Sequence, residues 1–381
     1  MFTRIYVHIP FCRSKCPYCA FVSSQGREGE IDDYVALLLK EMQAVRKKVA
    51  TAGPLDSVYF GGGTPSLLPP SQVAALLERV NGLFDLKDDA EITLEANPAT
   101  IDDRCLKAFR TAGINRLSIG VQSFDPRMLA LLGRIHSPAQ AVDAITSARR
   151  AGFGNIGIDL IHALPGQTPA MWRLDLEQAL RMAPEHISVY GLSIEEGTPF
   201  AERYADDSPL PDQDLAADMF EEADTLLTAG GYDHYEIANY ARPGFRSRHN
   251  SGYWHRDGYL GLGAGAHSFL RDSACGTRFG NVPDLEGYAA ALDRNDLPRC
   301  DVSKLSRQEA MAEFMYLGLR LAEGIRFAAF EKEFGQSPVT LYGEIFQKLS
   351  KAGLMEADHC SVRLTRKGML LSNRVFAMFL P

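Results

Sequence analysis

Three cysteines near the start of the chain, Cys12, Cys16 and Cys19, follow the apolar run Tyr6-Val7-His8-Ile9-Pro10-Phe11 in a C-x3-C-x2-C spacing. Thiolates hold iron–sulfur clusters, and cysteines this close on one loop can reach several corners of a cube. Three protein ligands on a four-iron cube leave one iron open to a small molecule. A zinc loop and buried structural thiols are the competing uses of the same residues. Zinc ordinarily takes a fourth Cys or His nearby, yet Ala20 and Phe21 come next. His8 precedes the loop, and a strand there would set it apart from the thiolates.

Other residues could serve a ligand beside such a cluster. Gly61-Gly62-Gly63-Thr64-Pro65 lets backbone N–H and C=O groups approach without a Cβ in the way. It is neither a dinucleotide fingerprint nor a Walker loop, and a plain tight turn is the simpler use. Glu95 could accept from a hydroxyl or an amine, or cap the next helix. Arg134 offers a planar fork to a carboxylate. Asp159, within Ile158-Asp159-Leu160-Ile161, needs a partner in its apolar surround, and a salt bridge to Arg134 would supply one. Later come Arg248-His249-Asn250-Ser251-Gly252-Tyr253-Trp254 and the glycine-rich Gly261-Leu262-Gly263-Ala264-Gly265-Ala266-His267. Imidazole can ligate haem iron, and Tyr and Trp present apolar faces to a porphyrin. Equally, Tyr253 and Trp254 could be buried anchors, and a lone His is usually no ligand.

The elements that must position these groups alternate. Asp32 is expected to cap a helix carrying Tyr34, Val35, Leu38, Leu39 and Met42, broken at Gly53-Pro54. Strand patterns fall at 55–60, 91–95, 116–120, 155–161 and 186–192, with helical patterns from 71 and at 102–112, 138–151, 169–181 and 212–229. Alternating strand and helix implies parallel strands joined by right-handed crossovers. Periodicity alone leaves open sheet and barrel both possible. Almost every strand ends in residues a plain core would not choose: the cysteine loop, the triglycine, Glu95 with Asn97-Pro98, Gly120-Val121-Gln122, Asp159 and Glu195-Glu196. Ligand sites of parallel α/β folds lie at those carboxyl ends. From about 301 the pattern becomes helical, starting near Ser306, with helices over 327–334 and 339–352, a hairpin of 354–357 with 362–365, and a last helix over 367–379. That order resembles a winged helix. Its 11 Lys+Arg against 9 Asp+Glu form no basic stripe, so a lid or partner surface is expected rather than a DNA reader.

Composition sets outer bounds. With 381 residues, 46% hydrophobic and 23% charged, the chain reads as one large domain plus a small appendage. A net charge of −8 argues against broad nucleic-acid or anionic-membrane binding. No apolar run approaches the roughly 20 residues that span a bilayer. Seven cysteines, three clustered and four scattered, do not form a secreted disulfide framework, so a cytoplasmic protein with reduced thiols is expected.

The strand leading into C-x3-C-x2-C resembles the radical S-adenosylmethionine (SAM) superfamily. The wording Tyr6-Val7-His8-Ile9-Pro10-Phe11-Cys12 is similar to the oxygen-independent coproporphyrinogen III oxidase (HemN) group within it. The resemblance implies an α/β fold: a partial (β/α)6 TIM-like barrel over 1–298 and a small, mainly helical, winged-helix-like domain over 299–381. It implies a 4Fe-4S cluster on Cys12, Cys16 and Cys19, with SAM on the open iron. Tyr6, Glu95, Gln122, Arg134 and Asp159 match positions that contact SAM in the group. Gly62, Gly63 and Thr64 match the loop that takes the methionine amino group.

Two features depart from the oxidases. Phe21 stands where they carry a further cysteine, and only five residues precede Tyr6, too few for their N-terminal extension. Both put double oxidative decarboxylation of coproporphyrinogen in doubt. The H-N-x-x-Y-W string matches the motif linked with haem in the group's chaperone branch, implying haem contact at His249, Asn250, Tyr253 and Trp254. His249 is the expected iron ligand, with His267 second, and that branch is also linked with haem contact near the cluster cysteines. The expected function is binding haem and passing it to apo-haemoproteins of the respiratory chain, with peripheral membrane contact and a homodimer as further expectations. The alternative is porphyrinogen oxidation, and the branch also holds a haem-degrading relative.

Overall fold

The structure, a computed structural model, describes residues 1–48, 53–205, 210–272 and 275–381. The alternating pattern folds into one large sheet. Its centre is six parallel strands in chain order: β1 (Arg4–Ile9), β2 (Leu55–Gly62), β3 (Leu86–Ala96), β4 (Arg116–Gln122), β5 (Ile156–His162) and β6 (His186–Gly191). Beyond β6 lie two short antiparallel strands, β7 (Asp233–Glu236) and β8 (Asn239–Ala241), with β8 next to β6. On the other side β9 (Tyr259–Leu262) runs parallel to β1, followed by antiparallel β10 (His267–Leu270), β11 (Thr277–Asn281) and β12 (Arg299–Lys304). Among the described residues no pairing joins β12 to β7, so the sheet stays open. The expected partial barrel is present, with a longer antiparallel flank than the sequence pattern suggested.

Helices cover the sheet because each carries one apolar stripe. Ile31–Lys48 buries Tyr34, Val35, Leu38, Met42 and Val45 against the strands. A 3-10 turn leads into it, so Asp32 lies in the first turn instead of capping it; residues 49–52 lie outside the described residues, and Gly53-Pro54, the expected break, is not helical. Ser or Thr caps the helices Pro138–Arg150 and Pro169–Met182, each with Pro just inside, where a missing N–H is harmless.

Register does the positioning. Ile9 pairs with Gly62, Glu95 with Ser118, and Gly120 with Asp159, which in turn faces Ser188. The polar strand ends therefore meet along one edge. Between Gly120 and Gln122 the register shifts, and Gln122 takes a left-handed φ of 67°. Such a bulge re-aims a side chain, at a cost that non-glycine residues rarely bear outside functional sites.

The C-terminal unit starts with Ser306, whose side chain and Glu309 form a reciprocal cap on Arg307–Gly318. Helices Phe327–Phe334 and Pro338–Lys351 follow, with a small sheet of Ile325–Arg326, Ser361–Leu364 and Met355–Ala357. The single last helix expected over 367–379 is two, Arg366–Leu370 and Ser372–Ala377, because Leu371 leaves helical geometry at φ −101° and ψ 22°. β12 pairs with β11, so the large sheet runs past the expected boundary at 298. Buried ion pairs fasten this unit to the barrel. Glu313 accepts from Arg256 Nε at 3.0 Å and Arg278 Nε at 2.5 Å, and Arg256 also reaches Glu333 at 2.8 Å.

Candidate functional site

Cys12, Cys16 and Cys19 line one cavity of about 650 Å³ at the carboxyl ends of the parallel strands. The loop is tied by Cys19 N–H donating to Cys16 O at 3.1 Å. Thr64 Oγ1 lies 3.5 Å from Cys12 Sγ, and Arg134 Nη1 lies 3.6 Å from Cys16 Sγ. Burial pushes the Cys12 and Cys19 thiols up, so the protein alone does not hold them as free thiolates. Coordination to a cationic cluster would offset that penalty.

The triglycine passes directly against the cysteine loop. A Cβ on Gly63 would sit 2.7 Å from Phe11 O and 3.0 Å from Cys12 Sγ, so only glycine fits. Gly62 has a φ of 113°, and its N–H donates to Glu95 Oε2 at 3.2 Å. Glu95 Oε1 accepts from Tyr59 O–H at 2.7 Å. Glu95 thus braces the glycine loop; the capping role falls to Asn97, which accepts from Ala99 N–H. Glu95 keeps part of its surface on the cavity, and burial of the rest pushes its carboxyl up to about 7.

Arg134 and Asp159 both line this cavity, and no salt bridge joins them among the described residues. Arg134 Nη2 donates to Gly120 O at 2.7 Å, while Asp159 accepts from the Ser118 hydroxyl at 3.3 Å, and burial raises its pKa. Two buried groups on the cavity wall lack partners, Gln122 Oε1 and Arg134 Nε. Buried polar atoms are rarely left so, and these would be satisfied by a polar ligand. Three convergent thiols, a Cβ-free cradle and orphaned donor and acceptor fit a three-cysteine cluster with a charged organic ligand beside it.

Of the expected ligand contacts, Gly62, Gly63, Thr64, Glu95, Gln122, Arg134 and Asp159 line this cavity. Tyr6 does not. Its ring stacks on Tyr59 at 6.1 Å and its hydroxyl meets His8 Nδ1 at 3.0 Å, within the wall of a second cavity. Tyr59 was missed by motif reading, although strand alternation from Gly61 puts it on the same face.

The second cavity, about 480 Å³, is lined by Tyr253, Trp254, Tyr259 and Phe269, with Phe21 and Val22 of the cysteine loop and Leu317 of the C-terminal unit. Phe21, 66% exposed, lines both cavities. His249 does not reach either. Residues 249 and 253 share a face of the helix Arg248–Trp254, and that face turns into the barrel. Nδ1 of His249 pairs with Ser57 Oγ at 2.8 Å and Nε2 with Tyr253 Oη at 2.8 Å. Glu91 anchors the helix start, accepting from the backbone N–H of Arg248 and His249 at 2.9 Å each. Burial lowers the His249 pKa well below the ordinary value. The expectation that His249 ligates iron is therefore corrected: the ring is buried with both nitrogens engaged. Asn250 is half-buried and lies off the cavity wall.

A cysteine-loop cavity at the strand ends of an open parallel barrel, cradled by a glycine loop, defines a radical SAM protein. Residues 6–179 match the Radical SAM superfamily, and 305–371 match the HemN C-terminal domain. The heme chaperone HemW of Lactococcus lactis is 38% identical over 376 residues, covering 98% of this chain and 96% of that protein. The heme chaperone HemW of Escherichia coli is 43% identical over 265 residues, 69% of each chain. The solved coproporphyrinogen III oxidase (HemN) of Escherichia coli superposes with a TM-score of 0.86 at 25% identity, covering 99% of this chain and 90% of that one. The chain belongs to the heme chaperone HemW family of the radical SAM superfamily. A domain of that superfamily carries a 4Fe-4S cluster and SAM.

Proposed function

We propose that this protein binds haem and hands it to apo-haemoproteins of the respiratory chain. Cys12, Cys16 and Cys19 hold the 4Fe-4S cluster, and Gly62, Gly63, Thr64, Glu95, Gln122, Arg134 and Asp159 hold SAM. When bound, the cluster supplies one electron and an open iron. The chain's own residues then do the rest: Arg134 receives a carboxylate, the triglycine backbone an amine, and Glu95 keeps that backbone in place through Gly62 N–H. Haem occupies the second cavity, against Tyr253 and Trp254. His249 is a positioning residue that fixes the Tyr253 hydroxyl.

One observation carries this reading: the aromatic cavity abuts the cysteine cavity through Phe21, and its volume falls within the ~300–1,000 Å³ usual for ligand pockets. Seven unpaired cysteines support a reducing, cytoplasmic setting. No helix among the described residues is long and apolar enough to cross a membrane, so delivery to a membrane acceptor would go through surface contact.

The likeness to HemN favours one rival, oxidation of a porphyrinogen propionate. The test reconstitutes the cluster without oxygen and supplies dithionite, SAM and coproporphyrinogen III, with a parallel haem titration. A stable Soret band, with haem passing to an apo-haemoprotein and no protoporphyrinogen formed, is expected. Protoporphyrinogen and carbon dioxide without stable haem binding would reverse the assignment.

A further inference from the structure

The second cavity contains two imidazoles, His8 and His267. His8 is committed at both nitrogens, Nδ1 to Tyr6 Oη at 3.0 Å and Nε2 to Val22 O at 2.7 Å. His267 lies differently. It stands on β10 with an exposed ring, opposite Gly280 on β11. A Cβ on Gly280 would lie 3.4 Å from His267 Cε1 and 3.5 Å from Nδ1, so that ring edge rests on bare backbone. Two residues on, Phe269 shares the face, because side chains alternate along a strand, with its ring buried under the guanidiniums of Arg256 and Arg278. Arg278, opposite Phe269 on β11, stacks over that ring at 4.7 Å from its centroid and also lines the cavity. The surround thus supplies what haem needs: an exposed imidazole with no hydrogen-bond partner among the described residues, and an aromatic wall of Tyr253 and Trp254.

We propose that His267 is the axial ligand of the haem iron, an imidazole nitrogen lone pair coordinating iron while the porphyrin lies against the Tyr253–Trp254 wall. The assignment rests on the haem-binding reading above and moves the ligand from the helix to the antiparallel flank of the sheet. His249 then shapes the cavity from behind Tyr253, which accounts for a motif histidine that never meets the ligand.

The experiment titrates ferric haem into the anaerobically reconstituted full chain, following the Soret band and the low-spin electron paramagnetic resonance signal. His267→Ala should lose the histidine-ligated signature and bind haem at least about tenfold more weakly. Free imidazole should restore the signature by filling the vacated position. His249→Gln should keep it, even with weaker binding. If His267→Ala keeps cluster absorbance and an unaltered haem spectrum, or if His249→Gln alone loses the signature, the assignment is overturned. If the unsubstituted protein shows no stable haem band at all, the haem reading itself falls, and this ligand with it. His267→Gln guards against a folding artefact: retained circular dichroism with a lost signature supports the proposal.

Discussion

The two cavities share Phe21 and are built in opposite ways. The cysteine cavity is walled by the cysteine loop and by residues at the ends of consecutive parallel strands, where register leaves little freedom. The aromatic cavity is walled by side chains from the cysteine loop, the helix Arg248–Trp254, the antiparallel flank and the C-terminal unit. Strand register makes a stiff coordination site suited to a resident cofactor. The aromatic cavity is bordered by Leu317 of the C-terminal unit, which ion pairs on Glu313 hold against the barrel.

The comparison can be broken most sharply at the cysteines. Cys12→Ser, Cys16→Ser or Cys19→Ser should abolish cluster iron and its visible absorbance, measured after anaerobic reconstitution. Cys105→Ser and Cys360→Ser should leave both intact, and bleaching of either variant would refute the ligand set. Next in size is Glu313→Ala, which removes the carboxylate that Arg256 and Arg278 share and leaves Arg256 with Glu333. Removing one partner of a buried pair costs roughly 3–5 kcal/mol, so the denaturant midpoint should fall and haem retention with it. Cluster absorbance should persist below the transition; its simultaneous loss would show that the two cavities are one cooperative unit.

Trp254→Ala should weaken haem binding by about 2 kcal/mol, the loss usual for a central aromatic contact, while leaving SAM affinity unchanged. Equal weakening of both would remove the distinction between the sites. The smallest effect is a pH slope. Burial raises Glu95 from 4.5 to about 7, so between those values the folded protein binds more protons than the unfolded chain. Stability contributed by this group is present at acid pH and lost as pH rises through about 7. Thermal melts of the ligand-free protein across that range should flatten in Glu95→Gln, and an unchanged slope would mean that Glu95 is not the titrating group.

Much of the cysteine cavity was legible beforehand because its residues follow strand ends, and period-2 alternation with a glycine stop locates a strand end well. Asp159 and Gln122 were found in this way, yet the left-handed turn that aims Gln122 inward leaves no mark in hydrophobic pattern. The six parallel strands were readable; the short strands β7 to β12, at three to six residues each, were not. Tyr6, expected beside the ligand of the cysteine cavity, lines the second cavity, because two cavities flank one strand. His249 was misplaced because a helical motif does not announce which of its faces turns inward.

Residue type and spacing alone determined that three thiols share a loop, that glycine follows β2, and that strands and helices alternate, since each of these is a local property. Which imidazole keeps a nitrogen unengaged was decided only by packing. Hydrogen-bond partners of His8 and His249 come from Val22, Ser57 and Tyr253, and bare Gly280 beneath His267 comes from a neighbouring strand. Coordination chemistry depends on what surrounds a side chain, and those surroundings exist only once the chain has folded.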